Sequence, residues 1–177
     1  MGMVIKMIYN DLDKMVVRFL KGEDDAFDYI YDETKKTVYL SIYQIFKSKD
    51  KIEDIMQDTY LKAIENMHKY EIGTNFKAWI AKIARNLAIN DYNKNKIIEH
   101  VDDFDDFEND KKNSDISLVD RAYEILDANP VKYEKEVFTY RIVIGLGYRE
   151  IGEILDIPKS TVFDIYNRCI KKIKELL

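Results

Sequence analysis

The amino-acid sequence predicts an all-α protein with two small helical domains joined by an acidic linker. Only two prolines and six glycines occur among 177 residues, so long stretches lack the residues that most disfavour helices. Apolar residues recur at helical spacing, and no stretch alternates apolar and polar residues as a half-buried strand would. Charge marks the linker, because residues 98–120 hold 2 basic and 9 acidic side chains, whereas residues 1–97 (16 basic, 15 acidic) and 121–177 (10 basic, 9 acidic) are nearly neutral.

The first predicted domain, residues 1–97, begins with two helices. A helix over about residues 12–21 ends at Gly22, because glycine readily adopts the left-handed conformation that follows many helices. Asp24 or Asp25 caps a longer second helix, which reaches about residue 46.

The third predicted helix opens with Asp50 and Glu53, whose spacing matches a capping box. Its apolar positions predict a buried stripe: Ile52, Ile55, Met56, Thr59, Tyr60, Ala63, Ile64 and Met67. Its outward face is mostly acidic, which suits a partner protein with a basic surface, although a solvated face is the alternative. A loop over residues 70–74, containing Gly73, ends this segment.

The fourth predicted helix, over about residues 75–96, has two faces of different character. One face is apolar and predicted to be buried: Phe76, Trp79, Ile80, Ile83, Ala84 and Leu87. The opposite face carries mostly cations and amides: Lys82, Arg85, Asn86, Ile89, Asn90 and Asn93. Cations bind phosphates and amides bind base edges. Tyr70, Phe76 and Trp79 add the aromatic groups of a single-strand stacking site, although Phe76 and Trp79 are also typical core residues.

The second predicted domain, residues 121–177, begins within a helix over about residues 116–126 and is dominated by a helix-turn-helix. A helix over about residues 130–144 precedes a helix over 148–155, a tight turn and a last helix over 160–177. Two helices joined by so short a turn form a unit whose second helix commonly lies in the DNA major groove. That helix is basic, and a purely structural helix pair is the alternative.

Several function classes are excluded by what the sequence lacks. His68, His100 and Cys169 are the only histidines and the only cysteine, and they lie far apart in the chain, so the sequence predicts no zinc site and no disulfide. Glycine-rich nucleotide motifs and the nucleophile motif of hydrolases are absent. No apolar run approaches the ~18 residues of a membrane span. We therefore expect a cytoplasmic protein that is not an enzyme and holds no cofactor or metal, with Cys169 in the core.

Three segments resemble a known family. Residues 54–63, Asp-Ile-Met-Gln-Asp-Thr-Tyr-Leu-Lys-Ala, resemble region 2.2 of the sigma-70 family of bacterial RNA polymerase sigma factors. Residues 75–88, with Phe76-x-x-Trp79 followed by Ile-Ala-Arg-Asn, resemble the region after it. Residues 136–162 contain patterns similar to region 4. The chain therefore resembles a sigma factor of the small extracytoplasmic-function type.

The resemblance implies a set of partners and sites in the first domain. A sigma factor is a transcription initiation subunit that binds core RNA polymerase and promoter DNA, and an anti-sigma factor is left open as a further partner. Core polymerase would contact the third helix through Asp54, Gln57, Asp58 and Lys62. The minus-ten element would be opened and read by Tyr70, Asn75, Phe76, Lys77, Trp79, Lys82, Arg85, Asn86 and Asn90. Among these, Asn86 matches the position that receives a flipped-out base.

In the second domain, the resemblance implies that the last helix reads the minus-thirty-five element. The residues at its DNA-facing positions are Lys159, Ser160, Thr161, Phe163, Asp164, Asn167, Arg168 and Lys171. Family members usually carry more basic residues at the positions of Phe163 and Asp164. The acidic linker would pass through polymerase channels that hold RNA.

Two other function classes remain open at this point. A dimeric helix-turn-helix regulator would bind duplex DNA tightly without polymerase and would use the first 97 residues for dimerisation or sensing. A helical adaptor would bind polymerase without opening promoters. The cations and amides beside an aromatic loop favour the sigma factor over both.

Overall fold

The computed structural model describes residues 10–95 and 118–176, and every regular element in these two stretches is helical. Their α-helices are α1 Asp11–Leu20, α2 Ala26–Tyr43, α3 Lys49–Asn66, α4 Phe76–Asn95, α5 Leu118–Ala128, α6 Glu134–Phe138, α7 Tyr148–Leu155 and α8 Lys159–Leu176. A 3-10 turn follows α3, and a π-helical segment, Thr139–Ile144, continues α6. The predicted all-α class is confirmed. No helix within the described ranges is long and apolar enough to span a bilayer.

Helices α1 to α4 form an N-terminal lobe around one apolar core. All four helices contribute fully buried side chains: Val16, Ile30, Ile42, Ile52, Phe76 and Ile80. Helix α1 begins where Asn10 Oδ1 accepts a hydrogen bond from the Asp13 amide at 2.8 Å, which satisfies a donor at the helix start. Gly22, with φ of 89°, follows α1 as predicted.

Helix α3 differs from the prediction at its start and on one edge. Ser48, in extended conformation, is the N-cap residue, so the predicted capping box at Asp50 and Glu53 is wrong. The Glu53 carboxylate instead lies 3.9 Å from the Lys49 ammonium. Ile64 is 39% exposed, because the predicted stripe is wider than the strip of α3 that the neighbouring helices cover.

Helices α5 to α8 form a C-terminal lobe. Helix α7 has the predicted bounds and α8 begins one residue early. Helix α5 starts at Leu118, inside the predicted linker, and residues 98–117 of that linker lie outside the described residues. The predicted helix over 130–144 is corrected to a later start, since Tyr133 adopts a left-handed φ of 68° and α6 begins only after it.

The turn of the helix-turn-helix requires a glycine in α7. A Cβ atom on Gly152 would lie 2.7 Å from the carbonyl oxygen of Ile157, closer than Cβ atoms normally approach backbone. Asp156 makes the turn itself with a φ of 56°. Behind the turn, α8 buries Val162, Ile165, Cys169 and Ile173, so Cys169 is a core residue as expected. The two helices are therefore held at a fixed mutual angle.

The two lobes pack against each other, a feature that the sequence analysis did not predict. Ala78 and Ala81 of α4 are buried in the same cluster as Val137, Leu146 and Ile151 of the C-terminal lobe. Gln44 Nε2 donates a hydrogen bond to Thr139 Oγ1 at 2.9 Å across the same boundary. One side of α4 thus belongs to the lobe interface.

Candidate nucleic-acid interface

The loop before α4 is built on an aromatic cluster. Phe76 is 1% exposed and Tyr70 is 5% exposed, and their ring centroids lie 5.0 Å apart at 90°. The Tyr70 hydroxyl donates to Asp13 Oδ1 at 2.8 Å and also lies 2.9 Å from the Thr74 carbonyl. Burial raises the pKa of Tyr70 above its usual value. Tyr70 and Phe76 therefore anchor the loop to α1 and present no ring to a stacking base, whereas Trp79 keeps a partly exposed edge.

A cavity of about 990 Å³ lies beside this loop, between α1, α4 and α7. We call it the loop cavity. Both lobes line it, with Asn75, Lys77, Trp79 and Lys82 from the N-terminal lobe and Glu150 and Glu153 from the C-terminal lobe. Asn75 Oδ1 also accepts a hydrogen bond from the Ala78 amide at 3.3 Å and so caps α4. Asp11, Glu33 and Glu71 also line it from the N-terminal lobe and Arg149 from the C-terminal lobe, so each lobe contributes both cations and carboxylates to the cavity.

Beyond the cavity, α4 presents a row of polar side chains to solvent. Lys82, Asn86 and Asn90 are exposed and follow one another at four-residue spacing, which places them on one helix face. Lys77 is less available, since its ammonium lies 3.1 Å from the Glu33 carboxylate. This row can offer one cation and two amides to a nucleic acid.

Arg85, like Tyr70 and Phe76, is a predicted DNA-contacting residue that the structure largely removes from solvent. Its Nε and Nη2 donate to Glu136 Oε1 of α6 at 3.2 and 3.1 Å. The two side chains are 12% and 19% exposed, so the pair is largely shielded from screening by salt. Arg85 is therefore bound by the C-terminal lobe and cannot also hold a phosphate in this arrangement.

The predicted polymerase-binding residues lie together on α3. Asp54, Gln57, Asp58 and Lys62 are all exposed, and Lys62 lies 3.1 Å from Glu65. Next to them, an apolar groove of about 820 Å³ runs between α2 and α3. Leu61, which is 62% exposed, lines it with Ile64, and an apolar patch of this kind beside charged residues is typical of a protein-binding surface.

The eight predicted residues of α8 are exposed without exception: Lys159, Ser160, Thr161, Phe163, Asp164, Asn167, Arg168 and Lys171. Arg168 is partly engaged, because its Nε donates to Glu134 Oε1 at 2.7 Å. Glu134 is buried and also lies 3.4 Å from the Lys172 ammonium. These ion pairs join α6 to α8 and orient the exposed face.

The chain is similar to known sigma factors. Residues 30–106 match the family model of sigma-70 region 2. The chain is 28% identical over 174 residues to the sigma factor BldN of Streptomyces coelicolor, a match that covers 93% of this chain and 65% of BldN. It is 29% identical over 167 residues to the sigma factor SigW of Bacillus subtilis, covering 85% of this chain and 88% of SigW. These matches support an extracytoplasmic-function sigma factor of the sigma-70 family.

Solved structures of sigma factors have the same fold as this chain. The sigma factor RpoE of Bartonella quintana, crystallised with NepR, superposes with a TM-score of 0.67 at 19% identity over 85% of this chain and 95% of that chain. CnrH, in complex with the cytosolic domain of CnrY, gives 0.65 at 14% identity over 94% and 97%. Since the sequence matches to BldN and SigW cover 93% and 85% of this chain and so extend over both lobes, the dimeric helix-turn-helix regulator is not favoured.

Sequence reasoning missed several residues of these surfaces in the sigma factor. Glu136 and Glu134 act through partners distant in the chain, and no local pattern marks them. Leu61 and Ile64 are exposed apolar residues, and the helical period alone does not decide whether such residues are buried or face solvent. The alanines at positions 78 and 81 were a usable signal, because small residues three apart on a helix allow another element to approach closely.

Proposed function

We propose that this sigma factor binds core RNA polymerase in the cytoplasm and directs promoter recognition, strand opening and transcription initiation, without enzymatic activity of its own. The observation that carries the proposal is the face of α4 on which Lys82, Asn86 and Asn90 are exposed beside the loop cavity. A regulator that binds only duplex DNA has no use for such a row next to a cavity, whereas strand opening needs a place that holds an extruded base.

The roles are divided between the lobes. In the N-terminal lobe, Asn86 captures the extruded base, since an amide both donates to and accepts from a base edge, while Lys82 binds a phosphate. Trp79 offers a partly exposed ring, and Tyr70, Asn75 and Phe76 shape the loop. In the C-terminal lobe, the exposed face of α8 enters the major groove of the minus-thirty-five element.

The α3 surface is the proposed contact with core polymerase. The charged residues around Asp58 set orientation and association rate, and the apolar groove at Leu61 supplies buried area next to them. Proteins of this fold occur in complexes with anti-sigma factors, as their descriptions state. An anti-sigma factor is therefore a further candidate partner for this chain.

The lobe packing means that promoter binding requires a change of arrangement. Arg85 is held by Glu136 of the C-terminal lobe, and the same lobe covers one side of the loop cavity with Arg149, Glu150 and Glu153. Arg85 cannot bind a phosphate while the Glu136 carboxylate occupies its guanidinium. The lobes therefore separate when the protein binds polymerase and DNA.

The test of the proposal is strand opening by Asn86→Ala in holoenzyme assembled with core polymerase. Alanine keeps the helix and removes the amide, so we expect permanganate-reactive thymines near the start site to fall by roughly ten-fold or more, since base extrusion costs a few kcal/mol. Polymerase binding should be retained. On a template mismatched across the minus-ten element, the defect should shrink because no pairing is lost.

The matched control is Asn129→Ala, an exposed asparagine of the C-terminal lobe that lies on neither α4 nor α8. It should open promoters like wild type. Equal opening by Asn86→Ala and wild type would remove the base-capture role from Asn86. If the wild-type protein opens no promoter with core polymerase, the helix-turn-helix regulator becomes the better explanation.

A further inference from the structure

An aromatic ring stands in the middle of the otherwise polar DNA-facing side of α8. Phe163 is 47% exposed and lies among Ser160, Asp164 and Asn167 on this face. A phenyl ring cannot bind phosphate, and it has no donor or acceptor for a base edge. Half-exposed apolar rings at the centre of a binding face commonly contact an apolar group of the partner.

The ring is held in place from the other helix of the helix-turn-helix. Tyr148, the first residue of α7, meets Phe163 edge to face, with centroids 5.5 Å apart at 90°. Tyr148 also packs on Tyr166 at 5.5 Å, and the Arg141 guanidinium lies 4.8 Å from its centroid. Contacts from α7 thus limit the motion of Phe163, so that little entropy is lost when the ring is buried by a partner.

We infer that Phe163 is a specificity residue that contacts the methyl group of a thymine in the minus-thirty-five element, and that Tyr148 is the positioning residue that orients it. This inference rests on the proposed function. The C5-methyl of thymine is the distinctive apolar group on the major-groove edge of a base pair, and phenylalanine is among the side chains that contact it. The adjacent Asp164 repels phosphates, so this turn of α8 faces base edges and not the backbone.

The test removes only the methyl group. A promoter is first selected with wild-type holoenzyme from a library randomised over the minus-thirty-five element, and each thymine there is then replaced by deoxyuridine, which keeps all base-pairing atoms. At one position we expect wild-type affinity to fall about three- to ten-fold, as for the loss of one buried methyl contact. Phe163→Ala should lose a similar factor on thymine DNA and be insensitive to deoxyuridine at that position.

Tyr148→Leu tests the positioning role, since it should reduce the deoxyuridine effect while α7 and α8 stay folded by circular dichroism. Leu176→Ala, an exposed apolar residue at the end of the same helix, is the matched control and should behave like wild type. If no deoxyuridine substitution weakens wild-type binding, the inference is overturned without any variant. Equal deoxyuridine sensitivity of Phe163→Ala and wild type also overturns it, and so does a loss of core-polymerase binding by Phe163→Ala. Failure to select any promoter would instead contradict the proposed function.

Discussion

Helices α4 and α8 are both basic, and both carry predicted DNA-contacting residues. They differ in how far other parts of the protein cover those residues. The face of α8 is open along its length, whereas Ala78, Ala81 and Arg85 of α4 lie against the C-terminal lobe. Local sequence determines which side chains share a helix face. Whether that face is free depends on surfaces contributed by segments far away in the chain, and here one lobe occupies part of the other's binding helix.

The largest expected effect comes from forcing the lobes apart. Ala81→Glu places a carboxylate in the apolar lobe interface, close to the carboxylates of the C-terminal lobe, and Ala81 does not belong to the core of the N-terminal lobe. We expect the radius of gyration to rise by several Å from the roughly 16 Å of a compact chain of this length, with helicity unchanged. Small-angle scattering measures this. Asn93→Glu, the exposed control, should stay compact, and a compact Ala81→Glu would contradict the observed packing.

The next effect concerns the Arg85–Glu136 pair. Glu136→Gln leaves a guanidinium in a shielded site without its counter-charge, so we expect the free energy of unfolding to fall by about 1–3 kcal/mol. Glu33→Gln removes the partner of Lys77 in a more exposed pair and should cost less than ~1 kcal/mol. Urea titration compares the two. If both variants lose the same free energy of unfolding, burial at the lobe interface does not strengthen the Arg85–Glu136 ion pair.

A smaller effect distinguishes the two helices in DNA binding. Lys171 is exposed on α8, whereas Arg85 is held by Glu136. On a promoter duplex that contains both the minus-thirty-five and the minus-ten elements, and without polymerase, Lys171→Gln should weaken binding about three- to ten-fold and lower the salt slope by about 1. Arg85→Gln should change neither in the same titration. A salt slope lowered by Arg85→Gln would mean that the lobes are already apart in the free protein.

The smallest effect is the fall in stability at alkaline pH, and Tyr60 and Cys169 illustrate it, one in each lobe. Burial raises the pKa of Tyr60 in the N-terminal lobe to about 12 and that of Cys169 in the C-terminal lobe to about 11. Because the unfolded chain loses these protons at lower pH, the free energy of unfolding is unaffected below about pH 9 and falls as pH rises toward 11–12. Melting curves at pH 8 and 10.5 measure the fall. Cys169→Ala should remove part of it, and an unchanged fall would exclude Cys169 as a contributor.

Much of the fold and part of the site follow from local sequence. The bounds of α7, the left-handed Gly22 and the exposed α3 residues Asp54 and Asp58 were predicted, since each depends on one helix and its immediate flanks. Tyr70 was expected beside the DNA but is buried, because its hydroxyl finds Asp13, which lies 57 residues earlier. Tertiary packing also determines that α6 starts after the left-handed Tyr133 and that Arg85 pairs with Glu136. The helical period of a sequence contains no information about such packing.

Because Glu136 of α6 binds Arg85 of α4, the C-terminal lobe acts as a ligand that is tethered to the N-terminal lobe and occupies part of its proposed DNA-binding helix. Only residues 96–117 separate the two described stretches, and a linker of that length sets an effective concentration in the millimolar range. DNA or any other anion must therefore displace a ligand that never diffuses away, and its apparent affinity is lowered by the fraction of molecules that are closed. A polymerase that binds the two lobes at separate sites would hold the C-terminal lobe away from α4. In that single step it would free every DNA-contacting residue of the helix.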